Sequence, residues 1–307
     1  MNSSKIYIVG KGAIGKALAV FLKLKNKDVT LLRGSVTESQ NKVERLEVAL
    51  NNGSTVHADI NVGTLNNSVQ LNGMVVLTNK SFGNAELANV LREKQSNSPI
   101  VILQNGLGVE RPFIDNNFPS VYRCVLFVTS QNTGPNGVRF KPVSVCPVGI
   151  VKGTNEELTA ITDALSKEHF QFKPEAEINH VVWRKAIINC AFNSICPLLD
   201  IDNGVFHRNT EALAIAKRVV EECLAIAATK GVVLDREQVI ENLLLISRSS
   251  DGQLISTLQD IRNGQPTEID TLNFEIARIA KDNGMESRVQ ETKLLGELVK
   301  IKSGLQV

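Results

Sequence analysis

The chain has 307 residues, enough for two ordinary domains or one large one. Hydrophobic residues make up 43% and charged residues 21%, so the chain can bury a core, and disorder is excluded as its main state. The 34 Lys and Arg residues exceed the 32 Asp and Glu residues by only two, which argues against nucleic-acid binding. No uncharged apolar run reaches the roughly 18 residues that span a bilayer. The five Cys and four His residues are scattered, so we expect no metal site and no disulfide framework, in a soluble cytoplasmic protein.

Strand and helix signals alternate in the first half of the chain. Residues 6–9 form a short apolar run that ends in glycine, residues 13–25 have helical spacing, and residues 28–32 predict the next strand. A parallel sheet requires this strand–helix–strand order. Further strands are predicted at residues 74–78, 100–103, 121–128, 138–141 and 143–151, the last three antiparallel, with a hairpin that pairs 46–50 with 55–58.

After about residue 154 the strand signals stop and helical patterns follow. Helices are predicted at residues 156–167, 177–196, 209–230, 235–249, 253–262, 267–283 and 287–302. Gly231, Gly264 and Gly284 stand where helices commonly end. We place the domain boundary near Lys173-Pro174-Glu175, which gives domains 1–173 and 174–307. The predicted fold is α/β: a Rossmann-type dinucleotide-binding domain followed by an all-helical domain.

A glycine-rich loop directly follows the first predicted strand. Gly10-Lys11-Gly12-Ala13-Ile14-Gly15 is a G-x-G-x-x-G that opens a helix. Its glycines permit a tight turn, close approach of the backbone to a pyrophosphate, and close packing of helix on strand, while the helix N-terminus offers N–H groups to phosphates. The position of the loop inside a strand–helix–strand unit favours dinucleotide binding over a glycine turn without a ligand.

The end of the second strand indicates which dinucleotide is bound. A site specific for NAD usually carries an acid there, whereas this chain has Arg33, followed by Ser35. A guanidinium group can bind a 2′-phosphate with two hydrogen bonds. We therefore predict NADP(H), the alternative being that Arg33 is a solvated surface residue.

A polar stripe runs along one apolar predicted helix, 181–196. Lys185, Asn189 and Asn193 recur at every fourth residue and therefore share a face. Burial of an amine and two amides is costly unless they are paired, so they either form a hydrogen-bond network between domains or line a ligand cleft. We favour the cleft, because a desolvated lysine can exchange protons near neutral pH.

Two further segments carry polar residues to the same region of the predicted fold. Residues 104–108, Gln-Asn-Gly-Leu-Gly, follow a strand and so lie at a carboxyl edge of the sheet, where ligands bind in such folds. Residues 256–260 and 266–270 flank a glycine turn, where Thr267 is predicted to cap a helix and Glu268 to lie in its first turn. Complementing the helix dipole would by itself explain Glu268.

Together these segments resemble the ketopantoate reductase family (2-dehydropantoate 2-reductase). The resemblance spans essentially the whole chain, in the family's order. It rests on GKGAIG at 10–15, Arg33, Lys80, QNGLG at 104–108, WRKAIINCAFN at 183–193, Asp202-Asn203-Gly204, STLQDI at 256–261 and PTEID at 266–270. It implies a Rossmann domain and a helical domain, with the active site in the cleft between them.

The resemblance also implies roles for individual residues. Lys185 matches the general acid that protonates the C2 ketone oxygen, and Glu268 matches a cofactor contact near that lysine, so both are predicted catalytic residues. Substrate contacts are implied for Asn105, Lys185, Asn189, Asn193, Asn203 and Ser256. Cofactor contacts are implied for Gly10, Lys11, Gly12, Ala13, Ile14, Gly15, Arg33, Lys80, Asn105, Ser130 and Glu268.

The predicted activity is the NADPH-dependent reduction of 2-dehydropantoate to (R)-pantoate in pantothenate synthesis. The alternatives are reduction of another 2-oxo acid on the same scaffold, a non-catalytic NADP(H) sensor, and a structural protein that uses its helical half for dimerisation. The polar stripe disfavours the last two, because neither needs a proton donor. The predicted partners are a small 2-oxo acid, and a second copy in a homodimer through the helical domain.

Overall fold

The structure is a computed structural model that describes residues 5–34, 41–68, 70–94 and 97–305. The chain forms two compact units. The first comprises Met1–Gln104 and Val109–Ile178, and the second comprises Asn105–Gly108 and Asn179–Val307. Residues 105–108 therefore belong to the second unit, although the chain before and after them belongs to the first. The predicted domain boundary after residue 173 stays a prediction.

The first unit contains all eleven strands and four α-helices of the described residues. Its strands are β1 Lys5–Val9, β2 Val29–Arg33, β3 Lys42–Leu50, β4 Thr55–Thr64, β5 Gly73–Leu77, β6 Ile100–Ile102, β7 Val121–Cys124, β8 Val128–Asn132, β9 Gly137–Pro142, β10 Cys146–Lys152 and β11 Phe172–Pro174. Its helices are α1 Ala13–Lys23, α2 Asn84–Lys94, α3 Arg111–Asp115 and α4 Asn155–Leu165.

These strands form one sheet in the order β11-β10-β7-β6-β5-β1-β2-β4-β3-β9-β8. The six neighbours β4, β2, β1, β5, β6 and β7 are parallel, so their carboxyl ends lie along one edge. Beyond β4, the strands β3, β9 and β8 also contact α1. Buried apolar residues of β1, β5 and β6 fill the layers between sheet and helices, as expected for strands covered on both faces. The Rossmann-like half of the predicted fold is confirmed.

Several local predictions hold and two need correction. The hairpin is confirmed, with Ala49 opposite Thr55 in an antiparallel pair. The run 121–128 is not one strand: β7 ends at Cys124, and β8 starts at Val128 in another part of the sheet. Strand structure does not stop at residue 154 either, because β11, centred on Lys173, pairs in parallel with β10. A three-residue strand that contains a proline carries too little periodicity to be recognised.

The second unit is helical. Its helices are α5 Ile178–Leu199, α6 Val205–Arg208, α7 Thr210–Ala228, α8 Arg236–Ser249, α9 Ser256–Arg262, α10 Asn273–Asp282 and α11 Gln290–Leu305. Gly231, Gly264 and Gly284 follow three of them with φ angles between +61° and +73°, as predicted for residues that end helices. One prediction is wrong: Thr267 caps no helix, because a short 3-10 turn, Ile269–Thr271, precedes α10.

Two global features bear on the sequence predictions. Of the helices in the described residues, none combines the length and the apolar character needed to cross a membrane. All five cysteines lie in described segments, and each is a buried free thiol. Cys190 and Cys196 are fully buried on α5, where they fill core space.

Candidate active site

In the first unit, the glycine loop joins β1 to α1 at the carboxyl edge of the sheet. Gly10 has φ +115°, and a Cβ there would stand 2.5 Å from the backbone nitrogen of Asn79. A Cβ on Gly15 would stand 2.0 Å from the carbonyl oxygen of Gly10. Beside Gly12, in contrast, no described atom lies within 4 Å of the Cβ position, so the loop borders open space there. The loop therefore packs tightly on the protein side and leaves its middle accessible to a ligand.

The start of α1 offers backbone donors to that space. Gly12 is the N-cap and has no side chain with which to satisfy the N–H groups of the first turn, to which Ala13 and Ile14 belong. The Thr78 hydroxyl fixes the loop from β5 by donating to the Gly10 oxygen at 2.9 Å. Such an arrangement suits phosphate oxygens.

Lys11 of the loop and Lys16 of α1 both bind other residues of the protein. Lys11 forms an ion pair with Glu44 of β3, and Lys42 lies 3.1 Å from the same carboxylate. Burial alone raises the pKa of Glu44, but the hydrogen bonds from the two lysines outweigh burial and lower it. Lys16 is buried and donates to the Pro135 oxygen at 2.9 Å, and burial lowers its pKa. The predicted role of Lys11 in cofactor binding thus rests on its backbone.

Among the buried polar atoms of this unit that have no hydrogen-bond partner in the described residues are Nε of Arg33, Oδ1 of Asn79 and Oγ of Ser130. Arg33 is the last residue of β2, Asn79 follows β5, and Ser130 lies on β8. Lys80 is half-buried, directly before the 3-10 turn Ser81–Gly83. Ser35, the second predicted residue near Arg33, lies outside the described residues. Buried polar groups are normally paired, so the three atoms suit a polar ligand.

In the second unit, the amine of Lys185 is hydrogen-bonded to the side chain of Asn105. Lys185 is half-buried on α5, and its Nζ donates to Oδ1 of Asn105 at 2.9 Å. The segment of Asn105 is fixed in turn, because Leu107 N donates to the Thr271 oxygen at 2.7 Å. Gly106 has φ +97°, and a Cβ there would be 2.3 Å from Oγ1 of Thr271. Asn105 therefore reaches Lys185 from a segment whose next position, residue 106, accommodates glycine better than any other residue type.

The two asparagines of the stripe lie along α5, which is continuous from residue 178 to 199. Asn193 is buried, and its Nδ2 donates to the Asn189 carbonyl oxygen at 3.1 Å. Its Oδ1 accepts from the Thr257 hydroxyl at 2.7 Å and from the exposed Ser256 hydroxyl at 3.4 Å. Thr257 was not among the predicted site residues. Its only signal in the sequence was its place beside Ser256 in a polar run.

Asn203 carries the clearest acceptor in this unit. Its Oδ1 is buried without a hydrogen-bond partner in the described part of the chain, while its backbone oxygen accepts from the Ser247 hydroxyl at 2.7 Å. The neighbouring Asp202 accepts from Arg208 at 2.8 Å and from Gly204 N at 2.7 Å. The bond from Arg208 is the main cause of the lowered pKa of Asp202. The turn that carries Asn203 is thus held on both sides.

Glu268 is buried just before the 3-10 turn that touches the segment of Asn105. Its backbone oxygen accepts from the Thr271 hydroxyl at 3.1 Å. The Thr271 carbonyl oxygen also accepts from Leu107 N, so Thr271 links Glu268 to the segment 105–108. The second unit thereby brings together Lys185 with Asn105, and Asn193 with Ser256. It presents an ammonium, amides and a hydroxyl, which suit a small anion with a ketone.

Comparisons with known proteins agree along the chain. A family model described as ketopantoate reductase PanE/ApbA matches residues 6–151, and one described as its C-terminal part matches residues 177–302. The chain is 29% identical, over 98% of both chains, to a 2-dehydropantoate 2-reductase of Pyrococcus horikoshii.

Two solved structures share the fold. A ternary structure of D-mandelate dehydrogenase with NADH and anilino(oxo)acetate aligns with TM-score 0.84 and 24% identity, over 98% of this chain and 99% of that one. A dimeric ketopantoate reductase of Staphylococcus aureus aligns with TM-score 0.81 and 17% identity, over 99% and 100%. At these identities the alignments establish the fold alone.

Proposed function

The chain belongs to the ketopantoate reductase family, and from that premise we propose that it reduces 2-dehydropantoate to (R)-pantoate with NADPH. The family supports an oxidoreductase that uses a nicotinamide dinucleotide and a small 2-oxo acid. The observation that carries the finer proposal is the bond between Lys185 Nζ and Asn105 Oδ1, at 2.9 Å on a half-buried helix. This hydrogen bond orients the ammonium group of Lys185.

The residues of the first unit fit a dinucleotide. The open side of Gly12 and the uncapped start of α1 would receive the pyrophosphate. Arg33, with its buried and unpartnered Nε in the described residues, would bind a 2′-phosphate. Asn79 and Ser130 would satisfy their buried oxygens on the same ligand, with Lys80 as a further contact. When bound, the reduced nicotinamide supplies the hydride that forms the new C–H bond at C2.

Lys185 would supply the proton in this proposal. As the ketone is reduced, negative charge develops on its oxygen, and the ammonium stabilises that charge before it transfers a proton to the oxygen. Asn105 accepts one N–H of Lys185 and so limits the directions in which the others point. Glu268 remains a predicted contact near this lysine.

Three side chains would hold the substrate. The unpartnered Oδ1 of Asn203 is an acceptor and suits the 4-hydroxyl group of 2-dehydropantoate. Asn193 has its Oδ1 occupied by Thr257, so it can offer only N–H, which suits the carboxylate. Ser256, exposed at the start of α9, can donate to the same carboxylate in place of its 3.4 Å bond to Asn193, and Asn189 completes the stripe.

The test measures the rate at which NADPH absorbance is lost with each member of a panel of 2-oxo acids. We expect 2-dehydropantoate to react far faster than pyruvate-like analogues without the 4-hydroxyl, because a site built to bind a hydroxyl penalises its absence. Preference for an aryl 2-oxo acid would instead favour the alternative that the D-mandelate dehydrogenase structure suggests. Cofactor binding without turnover of any 2-oxo acid would favour a sensor.

We also propose that the chain forms a homodimer through its helical unit. The dimeric Staphylococcus aureus structure of the same fold supports this. A cytoplasmic location stays a prediction from the sequence.

A further inference from the structure

The last helix, α11, has two apolar faces. One face is buried in the second unit by Thr292, Gly296 and Val299. The opposite face carries an outer stripe of Leu294, Leu298, Ile301 and Leu305, which are 54%, 42%, 58% and 79% exposed. At 100° per residue, the stripe points almost directly away from Gly296. A surface helix normally has one apolar side, so a second one marks a surface that binds another protein.

The spacing of the outer stripe identifies the shape of the partner. The intervals of four, three and four residues are those of a and d positions in a heptad repeat, with Leu298 and Leu305 at a. Such a seam packs lengthwise against another helix with the same spacing. The chain itself provides that helix in a second copy, because a two-fold axis lets one surface pair with itself.

Charges beside the outer stripe select the orientation. Glu297 precedes an a position and Lys302 follows a d position, five residues further on. In a parallel helix pair these two positions face each other across the seam. In an antiparallel pair Glu297 would face Glu297, and Lys302 would face Lys302. Within one chain Glu297 has Lys293 at 3.8 Å, and Lys302 donates to the Pro197 oxygen. A parallel pair would create two Glu297–Lys302 contacts between copies.

We propose that a second copy of this chain binds along the outer stripe of α11, with the two helices parallel about a two-fold axis. This deepens the homodimer proposed above and is independent of the reductase reaction. The two copies would cover the four exposed aliphatic side chains of each helix.

The experiment measures the mass of the full-length protein by sedimentation velocity over a dilution series. We expect a dimer, and we expect Leu298→Glu and Ile301→Glu to weaken it at least about tenfold, because each places a charge in the seam. Val233→Glu is the matched control, since Val233 is 78% exposed but lies outside α11. It should leave the dimer intact. Circular dichroism confirms that each variant is folded.

The charged pair tests the orientation. Glu297→Lys and Lys302→Glu should each weaken the dimer, and the double variant should recover it. A monomeric wild type, or stripe variants that dimerise normally, would overturn the interface, and a double variant no better than the single ones would overturn the parallel orientation. Because the readout is mass, loss of 2-oxo acid reduction in any variant leaves these outcomes unaffected.

Discussion

The two units present their candidate ligand-binding groups in different ways. In the first unit the candidate phosphate surface is backbone: glycines at residues 10, 12 and 15 and the start of α1. In the second unit the candidate groups are side chains bonded to one another, such as Lys185 with Asn105 and Asn193 with Thr257. A backbone surface recognises what all dinucleotides share, whereas a side-chain surface recognises one substrate. The chemistry and its specificity should therefore be most sensitive to changes in the second unit.

The largest expected effect is the loss of the proposed proton donor. Lys185→Ala should lower turnover by a factor of about 10² or more, while NADPH still binds, because the amine belongs to the second unit and the proposed phosphate surface to the first. Steady-state NADPH absorbance measures turnover, and nicotinamide fluorescence measures binding. Lys281→Ala, an exposed lysine of α10, is the control. Near-normal turnover in a folded Lys185→Ala protein would remove this residue from the mechanism.

The next effect concerns the one side chain of the first unit on which cofactor selection is proposed to depend. Arg33→Asp should weaken NADPH relative to NADH by about tenfold to a hundredfold, because it removes charged hydrogen bonds to the 2′-phosphate and adds a like charge. Both cofactors are titrated by fluorescence. Arg45→Asp changes an exposed arginine of β3 and should leave the ratio unchanged. If Arg33→Asp also leaves it unchanged, the chain does not use Arg33 to choose its cofactor.

Alanine substitutions at two glycines of the loop should have different effects, one on stability and the other on cofactor binding. Gly10→Ala forces a Cβ against Asn79 at a φ of +115°, so it should lower the free energy of unfolding by about 2 kcal/mol or more. Gly12→Ala meets no described atom within 4 Å, so the protein should remain stable. Its methyl group would occupy the space assigned to the phosphates and weaken NADPH about tenfold. Thermal unfolding and cofactor titration separate the two effects. Unchanged NADPH affinity in a stable Gly12→Ala protein would show that the open side of the loop is not a binding surface.

The same contrast explains how much the sequence could predict. The glycine loop, β1, α1 and the hairpin were recognisable because each depends on residues close together in the chain. The stripe on α5 was visible because helical spacing places its members on one face. The transfer of residues 105–108 to the second unit was not visible, because it depends on a contact between Leu107 and Thr271. Nor was the late start of α10 at Asn273, after the 3-10 turn Ile269–Thr271, because a local capping signal such as Thr267 is only a weak guide to where a helix begins.

The smallest expected effect lies at Thr257, which only the folded structure connects with the stripe. Its hydroxyl holds Oδ1 of the buried Asn193 at 2.7 Å and so directs the remaining N–H of that amide outward. Thr257→Val keeps the shape but removes the donor, and should raise the KM for the oxo acid about fivefold with NADPH affinity unchanged. Thr257→Ser restores the donor and should recover the KM, whereas a purely structural role would make Ser, with its missing methyl, the worse replacement. A KM that is normal with valine would mean that Asn193 is oriented without Thr257. A raised KM that serine also fails to rescue would mean that the methyl group matters and the hydrogen bond does not.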